Sequence, residues 1–227
     1  MTTDIKGFIE TSFLDWPGKL CSVIFLPHCN FRCPYCHNHP LVFHPERFPT
    51  LPLEEIIDRL HSLKDWIDGV CFTGGEPTLH VDLPFLIREI KRYGFPVKLD
   101  TNGSNPQMLE TLIESGEIDF VSMDVKAPLD FFNYRRSTGL PVDLKPILQS
   151  IEILKRGKTG YQFRMTFVPG LHREEDIKTL GDQLKAGQRL TLQNFNPENP
   201  LDPTLKNTVP LDPRLLKEME KEVQAIV

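Results

Sequence analysis

Cys29-Asn30-Phe31-Arg32-Cys33-Pro34-Tyr35-Cys36-His37 places three cysteines at C-x3-C-x2-C spacing, with an aromatic residue directly before the third. Thiolates hold iron–sulfur clusters, and a cubane with a full set of protein ligands needs four of them. Three on one short loop leave one iron without a protein ligand. An open metal position is where a substrate or cofactor binds, by the logic that separates catalytic from structural zinc sites. His28, His37 and His39 keep a second reading open, a zinc knuckle of the three cysteines and one histidine. Cys21 and Cys71 each sit inside an apolar run and read as core thiols.

The loop follows Leu20–Leu26, an apolar, β-rich segment. Thr50 reads as a helix N-cap, with Leu53, Ile56, Ile57, Leu60 and Leu63 recurring at helical spacing behind it. Strand-like and helix-like segments then alternate. Gly69–Thr73, Val97–Asp100, Phe120–Val125, Tyr161–Phe167 and Arg189–Phe195 read as strands. Leu83–Tyr93 (stopped by Gly94), a segment opened by Pro106, Leu144–Arg156, Glu174–Leu184 and Pro213–Ile226 read as helices. Six βα units predict an α/β fold, a parallel sheet covered by helices that curls into a partial (β/α)6 barrel. No linker or low-complexity segment divides the chain, so residues 1–227 are expected to form one domain.

The bulk properties narrow the function. A net charge of −5 argues against general nucleic-acid binding, which needs a basic footprint. No stretch approaches the roughly 18 apolar residues of a membrane span. The start, Met1-Thr2-Thr3-Asp4-Ile5-Lys6, lacks the apolar core of a signal peptide. Five cysteines, three of them in a ligand-like cluster, suit a reducing cytoplasm.

Each polar motif falls just after a strand, where parallel α/β folds build their sites. Gly74-Gly75-Glu76-Pro77 has glycines that let backbone approach a ligand closely, though alone it also suits a plain turn. Asp100-Thr101-Asn102-Gly103 is a turn by its chemistry. Asp124, before Val125-Lys126, stands at a neighbouring strand end; two such aspartates suit a hard cation or the polar groups of a ligand, an ion pair being the plainer reading. Arg164 fits an ion pair as well as a cofactor contact.

Together these segments resemble the radical S-adenosylmethionine (SAM) superfamily, and within it the activating enzymes of glycyl radical enzymes. Activators of pyruvate formate-lyase carry a similar Asp-Thr-Asn-Gly, an Asp-Leu-Lys in place of Asp124-Val125-Lys126, and a Val-Pro-Gly like Val168-Pro169-Gly170. The run Gly7-Phe8-Ile9-Glu10-Thr11-Ser12-Phe13-Leu14-Asp15-Trp16-Pro17-Gly18-Lys19 brings the chain nearest the short activators of anaerobic ribonucleoside-triphosphate reductase.

The resemblance implies a 4Fe–4S cluster on Cys29, Cys33 and Cys36, with SAM on the fourth iron. Main chain around Tyr35 and His37 would meet the adenine, and Gly74, Gly75 and Glu76 the methionine. Asp100, Thr101, Asp124 and Val125 match positions that hold a monovalent cation, and Lys126 and Arg164 match residues near the SAM carboxylate and ribose. Asn102 lies in the same motif, and Asn196 falls where those activators have a histidine, with Gln193 or Asn194 as substitutes. Reductive SAM cleavage would generate a glycyl radical on a partner enzyme, with flavodoxin or ferredoxin as electron donor and no nucleic acid or membrane involved. Asp15-Trp16-Pro17-Gly18 is expected at the mouth beside the cluster loop, Asp15 facing the partner's glycine loop, unless Trp16 merely packs the N-terminal segment. With no cysteine after Cys71, an auxiliary cluster is not expected. Two rivals remain: a radical SAM enzyme acting on a small metabolite, similar to 7-carboxy-7-deazaguanine synthase, and a non-enzymatic metal-binding module.

Overall fold

The computed structural model describes residues 4–185 and 189–225. Seven strands form one sheet in sequence order: β1 (Gly7–Ser12), β2 (Cys21–Leu26), β3 (Gly69–Gly74), β4 (Val97–Thr101), β5 (Phe120–Asp124), β6 (Gly160–Phe167) and β7 (Leu190–Asn194). Strands β2 to β7 run parallel, as the six βα units predict. β1 adds an antiparallel edge to β2 that the hydrophobic pattern did not announce. The two edges, β1 and β7, do not pair, so the barrel is partial.

Register explains why these strands carry charge. Partnered residues in neighbouring strands share a face of the sheet. One face presents Phe72, Leu99, Val121 and Phe163, all without exposure and all in the main core. Helices α2 (Leu53–Ser62), α3 (Leu83–Arg92), α4 (Pro106–Glu114), α6 (Leu144–Lys155), α7 (Glu174–Leu184) and α8 (Pro213–Gln224) contribute to that core; α3 alone buries Leu83, Leu86, Ile87 and Ile90. The other face carries Cys71 opposite Lys98, Asp100 opposite Ser122, and Asp124 opposite Arg164. This polar face lines the inside of the partial barrel.

Several boundaries differ from expectation. Helix α2 begins at Leu53 behind Pro52, and the Thr50 hydroxyl does not cap it. Thr50 instead accepts from Lys6 Nζ at 2.8 Å and donates to Asp4 at 3.0 Å, pinning the N-terminal segment. Two short helices went unread, α1 (His39–Phe43) and α5 (Phe131–Thr138). The latter has clear ends: Asp130 Oδ1 accepts from the amides of Phe132 and Asn133, and Gly139 closes it at φ 71°. Of the closing helix, the expected last residue Ile226 lies outside the described residues, as do Met1, Thr2 and Thr3. No helix among the described residues is long and apolar enough to cross a membrane.

The largest correction concerns Asp15-Trp16-Pro17-Gly18. Because β1 is antiparallel to β2, their connection lies at the start of the parallel strands, opposite the cysteine loop. Trp16 is buried there against Cys21, Val23 and Cys71, with its ring 6.3 Å from that of Phe120. It closes the barrel floor. Asp15 is held by the Ser12 hydroxyl at that same end. Both core-thiol expectations hold: Cys21 and Cys71 are fully buried in this floor cluster. Trp16→Ala is expected to cost about 3 kcal/mol or more, the usual penalty for emptying a buried aromatic site. Urea unfolding measures it, and iron content should not change.

Candidate active site

The cysteine loop leaves β2 at Leu26 and is stitched to the end of β3. The Gly75 amide donates to the Leu26 carbonyl and the Glu76 amide to the His28 carbonyl, both at 2.8 Å. Asn38 Nδ2 donates to the Gly74 carbonyl at 2.6 Å. The crossing is tight enough to require glycine. A Cβ on Gly74, whose φ is +114°, would stand 2.3 Å from the Leu26 carbonyl oxygen, and one on Gly75 only 1.7 Å from that of His28. The glycines thus serve first to let one backbone cross another directly before Cys29.

Hydrogen bonds shape the loop around its sulfurs. The Phe31 amide lies 3.4 Å from Cys29 Sγ, and Asn102 Nδ2 lies 3.8 Å from it. The Cys36 amide donates to the Cys33 carbonyl at 3.0 Å. One guanidinium nitrogen of Arg32 donates to the carbonyls of Cys29 and Phe31 at 2.6 and 2.7 Å. Two outside segments brace the loop: the Arg32 amide donates to the Thr138 carbonyl, and the Asp202 amide to that of Pro34, each at 2.8 Å. Burial pushes the Cys29 thiol up to about 11 and that of Cys33 up to about 12, and raises Cys36 as well. The three thiols therefore carry their protons at neutral pH.

Among the described residues no three His, Cys, Asp or Glu side chains converge on a single ion. A cluster needs no such convergence, because each thiolate takes its own iron.

Glu76 is buried, and its carboxylate is engaged within the protein. One oxygen accepts from the Thr78 amide at 3.1 Å, from the Thr78 hydroxyl, and from the Thr101 hydroxyl at 2.7 Å; the other accepts from the Asn102 amide at 2.6 Å. Asn102 in turn donates to Asn30 Oδ1 at 2.9 Å, linking the β4 end to the cysteine loop.

Beyond this tie lies a row of alternating charges. Lys98 pairs with Asp100, whose other oxygen meets Arg164 at 3.1 Å. Arg164 Nε donates to Asp124 at 2.8 Å, and Asp124 meets Lys126 at 3.0 Å. Burial alone would raise the Asp124 carboxyl, but Arg164 and Lys126 reverse that and hold it well below the usual range. The same pairing keeps Lys126 charged well above its usual range, against the effect of its burial.

Apart from Lys98, the charged groups of this row share one cavity of about 350 Å³ at the carboxyl ends of the strands. It is lined by the three loop cysteines with Tyr35 and His37, by Gly74, Gly75 and Glu76, and by Asp100, Thr101 and Asn102. Asp124, Lys126, Arg164 and, at the rim, Asn196 complete the expected set. Asn196 accepts from the Glu198 amide at 3.0 Å, and Asn194 is tied to Leu211. Val125 is the exception. Its side chain is fully buried away from the cavity and its amide donates to the Arg164 carbonyl at 2.9 Å.

Sequence reasoning missed Asn38, Thr73 and Thr166, which also line the cavity, and His172 beside it. His172 accepts from the Val168 amide at 3.1 Å, bonds Ser137 at 2.9 Å and meets the edge of the Tyr35 ring at 6.1 Å. The Tyr35 hydroxyl is buried and has no hydrogen-bond partner among the described residues.

Comparison with known proteins gives the family of the chain. The sequence pattern of the Radical SAM superfamily matches residues 23–182, from β2 into α7. The chain belongs to this superfamily; it is an enzyme that uses SAM and an iron–sulfur cluster.

It is 37% identical over 206 residues to a Methanocaldococcus jannaschii protein named as a glycyl-radical enzyme activating enzyme, covering 89% of this chain and 84% of that one. A Thermococcus kodakarensis protein named as a GTP 3′,8-cyclase is 30% identical over 166 residues, covering 72% of this chain and only 52% of its own length. The crystal structure of a radical SAM methyltransferase from Sphaerobacter thermophilus superposes with a TM-score of 0.68 at 14% identity, covering 95% of this chain and 65% of that one. That last likeness concerns the fold alone.

Two outcomes follow from the site's construction. Gly75→Ala is expected to lose iron as well as SAM affinity, since the added carbon strikes the backbone one residue before Cys29. Iron and sulfide analysis after anaerobic reconstitution checks this; full iron content with only SAM affinity lost would show that the crossing tolerates the carbon.

The second outcome concerns His172, whose imidazole is pushed down to about 4 by burial. It binds its proton on unfolding, so its contribution to stability is complete above about pH 6.5 and lost as pH falls towards 4. Wild type is expected to lose more stability than His172→Gln between about pH 7.5 and about pH 4.5 in urea titrations.

Proposed function

We propose that this enzyme generates a glycyl radical on a partner protein. The observation that carries the reading is the single cavity joining the Cys29–Cys36 loop to the charged strand ends, together with relatedness to the M. jannaschii protein over most of both chains.

The donor set suits the cofactors. Three thiolates would ligate three irons of a 4Fe–4S cluster and leave the fourth open to SAM. The polar face around Asp100, Asp124 and Arg164 suits a zwitterionic, ribose-bearing ligand. When bound, the cluster and SAM supply one-electron cleavage chemistry, which is the cofactors' own. The protein's part is to bind, orient and exclude.

Cys29, Cys33 and Cys36 hold the cluster. The Gly74-Gly75-Glu76 main chain meets the methionine, and backbone around Tyr35 and His37 meets the adenine. Lys126 and Arg164 orient the carboxylate and ribose, with Asp100 and Asp124 holding both cations in place. Asn102 adjusts the Cys29 environment, while Asn196 stands at the rim for an approaching substrate. Val125, turned away from the cavity, contributes main chain only. Flavodoxin or ferredoxin serves as reductant, and an anaerobic ribonucleotide reductase is the favoured partner.

The GTP 3′,8-cyclase relative favours a second reading, chemistry on a small molecule, since its likeness covers 72% of this chain. The test mixes reduced enzyme, SAM and a co-encoded glycyl radical enzyme and seeks the glycyl doublet by electron paramagnetic resonance. A doublet that vanishes with Cys33→Ala is the expected result. Absence of a radical, alongside turnover of a small metabolite, would transfer the assignment to the second reading.

A further inference from the structure

Lys98 is the one charged residue of the array that the cavity does not reach. It lies on the inward face of β4, between Cys71 of β3 and Phe120 of β5, and has no exposure at all. Its ammonium meets Asp100 and lies 3.6 Å from Cys71 Sγ. Below it the Trp16 cluster shuts out water. Removing an ammonium from water costs several kcal/mol unless a partner offsets it, so this group is there for Asp100.

The charges on the array do not balance. Asp100 and Asp124 face Lys98, Arg164 and Lys126, leaving the array with one positive charge in excess. An acidic pair matched to positions for a monovalent cation is thus already covered by the chain's own side chains, and a further cation would only add to the excess.

We propose that Lys98 is a tethered counter-ion, doing from beneath Asp100 what a bound monovalent cation would otherwise do, and that SAM binding by this enzyme is independent of added cation. The proposal rests on the SAM reading of the cavity. Lys98 acts through Asp100 and Arg164, so it is a positioning residue. With its charge removed, Asp100 keeps only Arg164 as ionic partner, and the space left beneath it is one that a small cation can occupy.

The test measures SAM affinity at equilibrium on cluster-loaded protein without reductant, in tetramethylammonium, potassium or ammonium buffers. Wild type is expected to bind equally in all three. Lys98→Met is expected to bind about tenfold more weakly in tetramethylammonium, the loss of one charged hydrogen-bond partner, and to recover in potassium or ammonium. Wild-type affinity that climbs with potassium would overturn the proposal. So would a Lys98→Met protein that binds normally in tetramethylammonium, or one whose loss neither cation repairs while iron content and melting temperature stay at wild-type values. If Lys98→Met does not fold, the wild-type comparison alone decides. Wild type that binds no SAM in any buffer would remove the SAM reading itself, and this proposal with it.

Discussion

The end of β3, the end of β4 and the cysteine loop meet around one buried carboxylate, and it holds them together. Glu76 collects donors from its own turn at Thr78 and from the next strand end at Thr101 and Asn102. Burial raises its pKa, and those hydrogen bonds work in the opposite direction. A carboxylate that accepts from several directions fixes distance and orientation more firmly than apolar contact, and leaving any of those donors unmatched in the interior would cost about 1–3 kcal/mol. The Asn102 side chain then passes that order to Asn30 and the Cys29 sulfur. The residue that the motif assigns to methionine therefore acts here as the joint between β3, β4 and the cysteine loop.

The charged face raises the converse problem, because polar groups inside a barrel are costly unless each finds a partner. This sheet solves it by register. Successive parallel strands set Asp100 and Arg164 on either side of Ser122 and Asp124, so that acids and bases alternate across the sheet. Arg164 takes both neighbours, Asp100 and Asp124, through different nitrogens of one planar group. A one-residue slip in β6 would turn Arg164 into the apolar face and strand both aspartates, so the ion pairs specify register as well as shape the site.

Much of this was legible in the sequence because the signals were strong and local. Apolar runs of strand length alternating with helical periodicity mark β2 to β7, and the cysteine spacing marks the loop. What escaped depends on pairing. The segment Gly7–Ser12 is too exposed to read as a core strand, and without it nothing indicates that Trp16 lies at the floor. Once β1 is known to run antiparallel to β2, the hairpin geometry leaves Trp16 no other end of the barrel. Lys98 carried a readable signal. A lysine two residues before Asp100 in an otherwise apolar strand must share its face, which in a parallel sheet means the inner one. The functions of Gly74 and Gly75 escaped for a different reason. Glycine reports that something passes close by, and here it is the chain's own backbone.

Closure of the floor by Trp16 constrains how any substrate arrives. With Trp16, Cys21, Val23 and Cys71 packed at the amino ends of the strands, the cavity is reached from the carboxyl ends or through the unpaired edge between β1 and β7. On the carboxyl side the cysteine loop is braced by the segment that follows β7, through the Asp202 amide and the approach of His39 to Asn199 at 3.3 Å. The wall on that side is thus anchored to the same loop as the thiols. The opposite end is filled by packed side chains. The two ends of the barrel are thus built differently, with a floor of packed side chains at the amino ends and a braced cysteine loop at the carboxyl ends.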